Sequence, residues 1–278
     1  MLPKLTNMTL LKTVLLTVSI TGGLVHSAHA QNNQENSQES SQEKGLTIAQ
    51  EADKRDLGFG DITADLQMIL RDQYGGESTR VMRNKTLEQK SDGDKSLIVF
   101  DSPKDVKGTA FLSFTHKADS DDQWLFLPAL KRVKRIASSN KSGPFMGSEF
   151  AFEDISSQEV EKYSYTYLKN ETKEGRDYFV VERDPVDPKS GYSRQVVWLD
   201  TAEYRVWKVD SYDRKGDLLK TLTVSNYQQY IGQYWRADTW KMVNHQTGKS
   251  TTLNFNNYKF GNGFTDRDFS KNSLARAK

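Results

Sequence analysis

The 278-residue chain has no cysteine. Disulfides, thiolate metal centres and cysteine nucleophiles are all excluded, and so is a lipid anchor attached through an N-terminal cysteine. Histidine is nearly as scarce. Of the four, His26 and His29 fall in the first 30 residues, which leaves His116 and His245. Neither has a partner histidine or cysteine at ligand spacing, and each sits beside a turn, so both read as hairpin residues. There is no G-x-S-x-G elbow and no glycine-lysine-threonine phosphate loop. The acidic tract "HKADSDDQ", with Asp119, Asp121 and Asp122, lacks the glycine and terminal glutamate of a calcium loop. Nothing here asks for catalysis, a metal or a cofactor.

Charge of one sign is also missing. Residues 1–30 hold Lys4 and Lys12 and no acid; without them 37 basic and 37 acidic side chains remain. A nucleic-acid binder normally needs a basic excess to displace counterions from phosphates, so that class is disfavoured.

Long apolar runs are absent apart from Thr13 to Leu24. Preceded by two lysines and followed by Ala28-His29-Ala30, this run has the pattern of a secretory signal peptide cleaved after Ala30. A membrane-spanning helix would need about 20 apolar residues, and Thr17, Ser19 and Thr21 dilute this one. Export without a lipid anchor points to the periplasm, with a Gram-positive secreted protein as the other possibility. Residues 31–45, "QNNQENSQESSQEKG", offer nothing to bury and read as a polar, disordered linker. Residues 46–278 then form a single domain, expected to be monomeric.

That domain opens with "LTIAQEADKRDLGFGD" (46–61), a helical pattern stopped by Gly58 and Gly60. A dozen strand-like segments follow, several separated by short turns such as Asp92-Gly93-Asp94 and Lys215-Gly216-Asp217. Hairpin spacing with alternating faces predicts an antiparallel meander; Tyr163, Tyr165 and Tyr167, for instance, share one face. At Val206-Trp207 the apolar phase slips, as a bulge would make it do. The fold class is therefore mainly β: a large, curved antiparallel sheet or incomplete barrel, with a second short helical segment at 265–277. Such a sheet either fills its concave side or leaves a cavity, and the 11% aromatic content serves either.

Between the strands lies "GPFMGSEFAFEDI" (143–155). It is not a phosphate cradle, because Pro144 donates no N–H, Phe145 and Met146 separate the glycines, and the continuation is aromatic. With the preceding "WLFLPALKRVKRI" (124–136) it resembles the outer membrane lipoprotein-sorting, LolA-like family, in the branch associated with RND-type exporters. The residues that carry the resemblance are Trp124, Leu127, Pro128, Arg132, Val133, Arg135, Ile136, Phe145, Gly147, Ser148, Phe150 and Asp154. Phe126 and Glu149 depart from its usual tyrosine and aspartate, both preserving character.

The resemblance implies an unclosed barrel with a helical lid over a hydrophobic cavity for acyl chains, and no catalysis. Concealing such chains from water is worth about 0.8 kcal/mol per CH₂. The expected cavity lining or mouth is Trp124, Phe126, Phe145, Met146, Phe150 and Phe152. The basic strand Lys131, Arg132, Lys134 and Arg135 is expected to meet a head group or partner, unless it merely protects a sheet edge from aggregation. Gly147, Ser148, Glu149 and Asp154 are expected to shape the motif loop. The implied function is a periplasmic carrier of lipoprotein or lipid acyl chains between inner-membrane machinery and the outer membrane. The alternatives are a cargo-free adaptor of an RND-type exporter and an envelope hydrolase.

Overall fold

Twelve strand-like stretches in the sequence become thirteen strands in the computed structural model, which describes residues 25–276, with side chains from Ser40 onward. Residues 1–24 of the expected signal segment lie outside the described residues. The helix α1 (Val25–Asp56) leads into β1 (Asp61–Arg71), β2 (Glu77–Leu87), β3 (Lys95–Ser102) and β4 (Ala110–Phe114). Next come β5 (Asp122–Leu127), β6 (Arg132–Ile136) and a four-residue helix, α2 (Phe152–Ile155). The second half is a run of strands: β7 (Tyr163–Lys173), β8 (Arg176–Pro185), β9 (Tyr192–Asp200) and β10 (Val206–Asp213). It closes with β11 (Leu218–Tyr230), β12 (Tyr234–Asn244), β13 (Ser250–Phe260) and a short terminal helix, α3 (Lys271–Leu274).

The extra strand arises at Pro128. Lacking an N–H, Pro128 starts a single 3-10 turn to Leu130, and Lys131 then adopts a left-handed conformation at φ 48°. One expected segment, 122–137, thereby folds back as the β5–β6 hairpin.

All thirteen strands form one antiparallel sheet in the order β6-β5-β4-β3-β2-β1-β13-β12-β11-β10-β9-β8-β7. The sheet does not close: β6 and β7 are free edges. They nevertheless approach one another through their loops, where Lys141 pairs with Asp187 at 2.7 Å and Lys162 with Asp121. The bulge at Val206-Trp207 is present as a register shift against β9 between Val206 and Lys208.

Residues Ser40–Lys278 make one unit, and within it the two faces of the sheet are covered differently. The inner face holds two clusters joined by Leu222. Val181, Val197, Leu199 and Val209 pack with Ile48 of α1, and Tyr165 and Tyr167 join them. Ala64, Leu66, Met68, Met82, Ile98, Phe100, Phe111 and Leu253 pack with Phe145, Phe150 and Phe152. On the opposite face of β3–β5 lie Leu97, Val99, Ala110, Leu112 and Trp124, covered by Phe269 and Leu274 from the C-terminal segment.

The α1 helix extends upstream of residue 46, so the tether expected over 31–45 is helical backbone. The last part of it packs tightly. A Cβ on buried Gly45 would stand 2.7 Å from the Tyr167 backbone nitrogen, and the Lys44 ammonium lies 3.5 Å from the Tyr167 ring centre. Close helix–strand contact, which a residue-by-residue hydropathy reading misses, fixes Lys44 and Gly45 against β7. At the other end of α1, Gly58 and Gly60 turn the chain and both donate N–H bonds to the Glu88 carboxylate, at 2.6 and 2.7 Å.

Candidate functional site

The 143–155 segment is a tight excursion off the sheet. Pro144 and Ala151 form an isolated antiparallel bridge, the Phe145 N–H donates to the Phe150 carbonyl at 2.7 Å, and the Phe152 N–H to Gly143. Met146 (φ 50°) and Gly147 (φ 76°) turn the tip. Open space surrounds Gly147, so its need is for the left-handed backbone rather than for a close approach. The strained Met146 backbone offers its carbonyl to the Arg80 guanidinium of β2.

This turn drives Phe145 and Phe150 into the inner face, where both are fully buried, with Phe152 beside them. Phe145 stands 5.2 Å from Phe111 and 5.6 Å from Phe152, both edge-on. The half-buried Met146 packs on the rim of the same cluster. Four of the six expected lining residues therefore meet on one surface. They fill it themselves, as a plug in the curve of the sheet.

Trp124 and Phe126 do not join them. Strand β5 points Leu125 and Leu127 inward and turns Trp124 and Phe126 to the opposite face, under Phe269, Leu274 and Phe264. The Lys271 ammonium sits 4.5 Å above the Trp124 ring. Both residues hold the C-terminal segment and take no part in the inner surface, which corrects their expected place in the lining. Sequence missed this because β5 is apolar on both faces.

Polar latches hold the plug. The Glu149 carboxylate accepts from Asn244 at 2.7 Å, and its N–H donates to Thr251. Ser148 is buried and bonds the Phe150 backbone. Glu153 accepts from the Ser190 hydroxyl and the Gly191 N–H, each at 2.8 Å; burial raises its pKa. Asp154 accepts from the Ala151 N–H at 2.7 Å and the Tyr192 hydroxyl at 2.8 Å, and burial holds the Tyr192 pKa well above its ordinary value. Sequence reasoning did not single out Tyr192, Ser190, Asn244 or Arg80. Each lies far along the chain from the motif and carries no signal of its own.

Two cavities flank the plug, both lined mainly by polar and charged residues but with apolar surface between them. One of about 260 Å³ lies where the two sheet edges approach, between the β4–β5 turn, the end of β6 and the start of β7. The other, about 340 Å³, lies between Ser142, Tyr192 and Lys220.

The basic strand forms the free edge β6. Arg132, Val133, Lys134 and Arg135 are all exposed, as is Lys131 before them. Arg135 pairs with Asp122; Lys131, Arg132 and Lys134 make no ion pair among the described residues.

His116 and His245 are both tied to turns. His116 bonds Asp92 at 2.6 Å through Nδ1 and faces Asp122 at 3.7 Å, and this bond holds the Asp92 pKa down at about 2. His245 meets the Thr221 hydroxyl at 2.8 Å. Asp121 and Asp122, part of the acidic tract, face Lys162 and Arg135.

Comparison with known proteins agrees with this architecture. A family model described as "Uncharacterized protein" matches residues 92–276. A crystal structure from Vibrio parahaemolyticus, described as an outer membrane lipoprotein-sorting protein domain, is 60% identical at a TM-score of 0.83. That match covers 84% of this chain and 99% of the other. A DUF1329 family protein from Desulfovibrio piger is 29% identical at 0.80, with the same coverage of both chains. A LolA superfamily protein from Nitrosomonas europaea, 21% identical, shares the fold at 0.67 over 82% of this chain and 98% of its own. A search of the curated proteins gives no match. At 60% identity to the Vibrio parahaemolyticus domain over 84% of its own length, the chain belongs to the outer membrane lipoprotein-sorting protein family, and it shares its unclosed-sheet fold with the LolA superfamily protein.

Proposed function

We propose that this protein is a periplasmic, monomeric carrier that shelters acyl chains of lipoproteins or lipids between inner-membrane machinery and the outer membrane. The observation that carries the reading is the plug: three phenylalanines from one polar-latched excursion occupy the apolar inner face of an unclosed sheet. An acyl chain and these rings compete for one surface. Burying each CH₂ of cargo contributes about 0.8 kcal/mol, so a chain of a dozen carbons offsets the displacement of two or three aromatic rings and their latches. Phe145, Met146, Phe150 and Phe152 are then the residues that cargo displaces or lies against. Gly147, Ser148, Glu149 and Asp154 set how firmly the plug is held.

The cation-rich β6 edge suits an anionic membrane surface or the acidic face of a transporter, of the RND type on the motif resemblance. Its charges carry little stability of their own, and a free edge bearing lysine is also protected against pairing. The first 30 residues serve as the export signal in this reading, and no enzymatic step is assigned.

A filled interior also suits a cargo-free adaptor of an exporter, and one experiment separates the two. Protein purified from its native envelope without detergent is extracted with organic solvent, and the extract is weighed by mass spectrometry. About one acylated molecule per protein supports the carrier. Repeated recovery of none, together with no binding of added fatty acid, leaves the adaptor.

A further inference from the structure

The cleft between the two sheet edges has a charge pattern that shelter of acyl chains does not require. Its wall carries three lysines and six carboxylates. Each lysine already has a partner: Lys162 pairs with Asp121, Lys141 with Asp187 at 2.7 Å, and Lys117 with Glu161 at 3.8 Å. Three carboxylates remain. Asp119 is exposed at the mouth, and Glu153 is satisfied by Ser190 and Gly191.

Glu159 is different. It is only 8% exposed, it lines the cleft, and it has no paired cation among the described residues. The Thr115 hydroxyl reaches one of its oxygens at 3.2 Å. The charges around it are mostly negative: Asp53 of α1, Asp94 of the β2–β3 loop and Glu161 stand against the Lys117 ammonium. Burial raises its pKa. A buried carboxylate without a counter-ion is destabilising, and here it stands in a hollow open to a ligand. The same hollow adjoins the plugged inner face. Ile136 belongs both to the cleft wall and to the phenylalanine cluster, and Glu153 of the wall follows Phe152 in the chain. A chain lying on the inner face would bring its polar end to this cleft.

We propose that the cleft is a head-group subsite that selects a primary ammonium group carried on an acylated molecule, with Glu159 as its counter-ion and Asp119 at its mouth. The assignment rests on the carrier reading and adds the chemical class of the cargo. The ammonium donates to the free Glu159 oxygen, and the flanking carboxylates stabilise the positive charge without further bonds.

The test uses the purified protein and two lysophospholipids with the same acyl chain, one with an ethanolamine head and one with a glycerol head, each below its micelle concentration. Titration calorimetry is expected to show the ethanolamine lipid binding about tenfold tighter, the size of one charge-assisted hydrogen bond. Glu159→Gln is expected to bring the two affinities within about twofold by weakening only the ethanolamine lipid. Asp119→Asn, on the exposed mouth, should narrow the gap by about two- to threefold and decides the matter if the Glu159 variant does not fold. Equal affinities in the unaltered protein, or a preference that both variants retain, overturn the head-group assignment and leave the carrier standing. Free ethanolamine binding as tightly as its lipid also overturns it, since the cleft would then act apart from any chain. Binding of neither lipid removes the carrier reading and this subsite with it.

Discussion

The Tyr192 hydroxyl donates to the Asp154 carboxylate at 2.8 Å, joining the start of β9 to the helical turn that carries Phe152. Both groups are largely buried, so the bond is made in a medium where leaving it unmade is costly. It is one of several latches between the plug and the sheet. Tyr192→Phe is expected to lower stability by about 1–3 kcal/mol and to strengthen binding of a fluorescent fatty acid, because cargo then displaces a looser plug. Urea unfolding and a fluorescence titration on the same variant check both effects.

Removing a plug ring should separate two kinds of aromatic residue. Phe150→Ala is expected to cost about 3–5 kcal/mol and to leave an apolar void on the inner face, which raises fatty-acid affinity. Trp124→Ala should cost a similar amount, yet leave fatty-acid affinity unchanged, since its ring lies under Phe269 and Leu274 on the other face. Equal effects of the two substitutions on binding would contradict the division of faces.

Stability should fall as pH rises from about 4 to about 7. Burial pushes the Asp94 pKa up to about 7 from its ordinary 3.8. Across that window the folded chain holds a proton that the unfolded chain has released, so raising the pH favours unfolding. Asp92 acts with the opposite sign: its pKa of about 2 adds stability above 3.8, lost as pH falls towards 2. Asp94→Asn should flatten the decline between pH 4 and 7 and raise the melting temperature at pH 8. Thermal scans across pH 3–8 for both proteins show whether it does.

The β6 edge is testable without disturbing the fold. Arg132→Glu with Lys134→Glu replaces two exposed cations that make no ion pair among the described residues, so stability should change by less than about 0.5 kcal/mol. Co-sedimentation with vesicles rich in phosphatidylglycerol should be lost in the double variant, and should weaken with added salt in the unaltered protein. Unchanged sedimentation would reduce β6 to a protected edge.

Much of this architecture was legible in the sequence because strands on a half-covered sheet alternate and glycine-bearing turns mark their ends. The slip at Val206-Trp207 was readable as a bulge for the same reason: a one-residue insertion reverses the phase of everything after it. The face of Trp124 and Phe126 was not readable. With Leu125 and Leu127 beside them, β5 has no alternation to follow, and the segment that covers Trp124 comes from residues 264–274, far along the chain. The upstream reach of α1 was hidden in a similar way, since contact of Gly45 with the β7 backbone depends on a strand more than a hundred residues away. The 143–155 motif stood out by composition. That its phenylalanines plug the inner face depends on latch residues, Tyr192, Asn244 and Arg80, that have no local pattern.

Covalent mapping of a bound chain is the most direct test of acyl shelter. The protein is incubated with a photoactivatable fatty acid, irradiated and digested, and the labelled peptides are sequenced by mass spectrometry. Labelling should concentrate on the 143–155 peptide and on inner-face residues such as Leu66, Met82, Phe111 and Leu253, and sparing of Trp124 and Phe126 is expected. Labelling confined to the outer face, or none at saturating probe, would contradict a carrier whose cargo takes the place of its own phenylalanines.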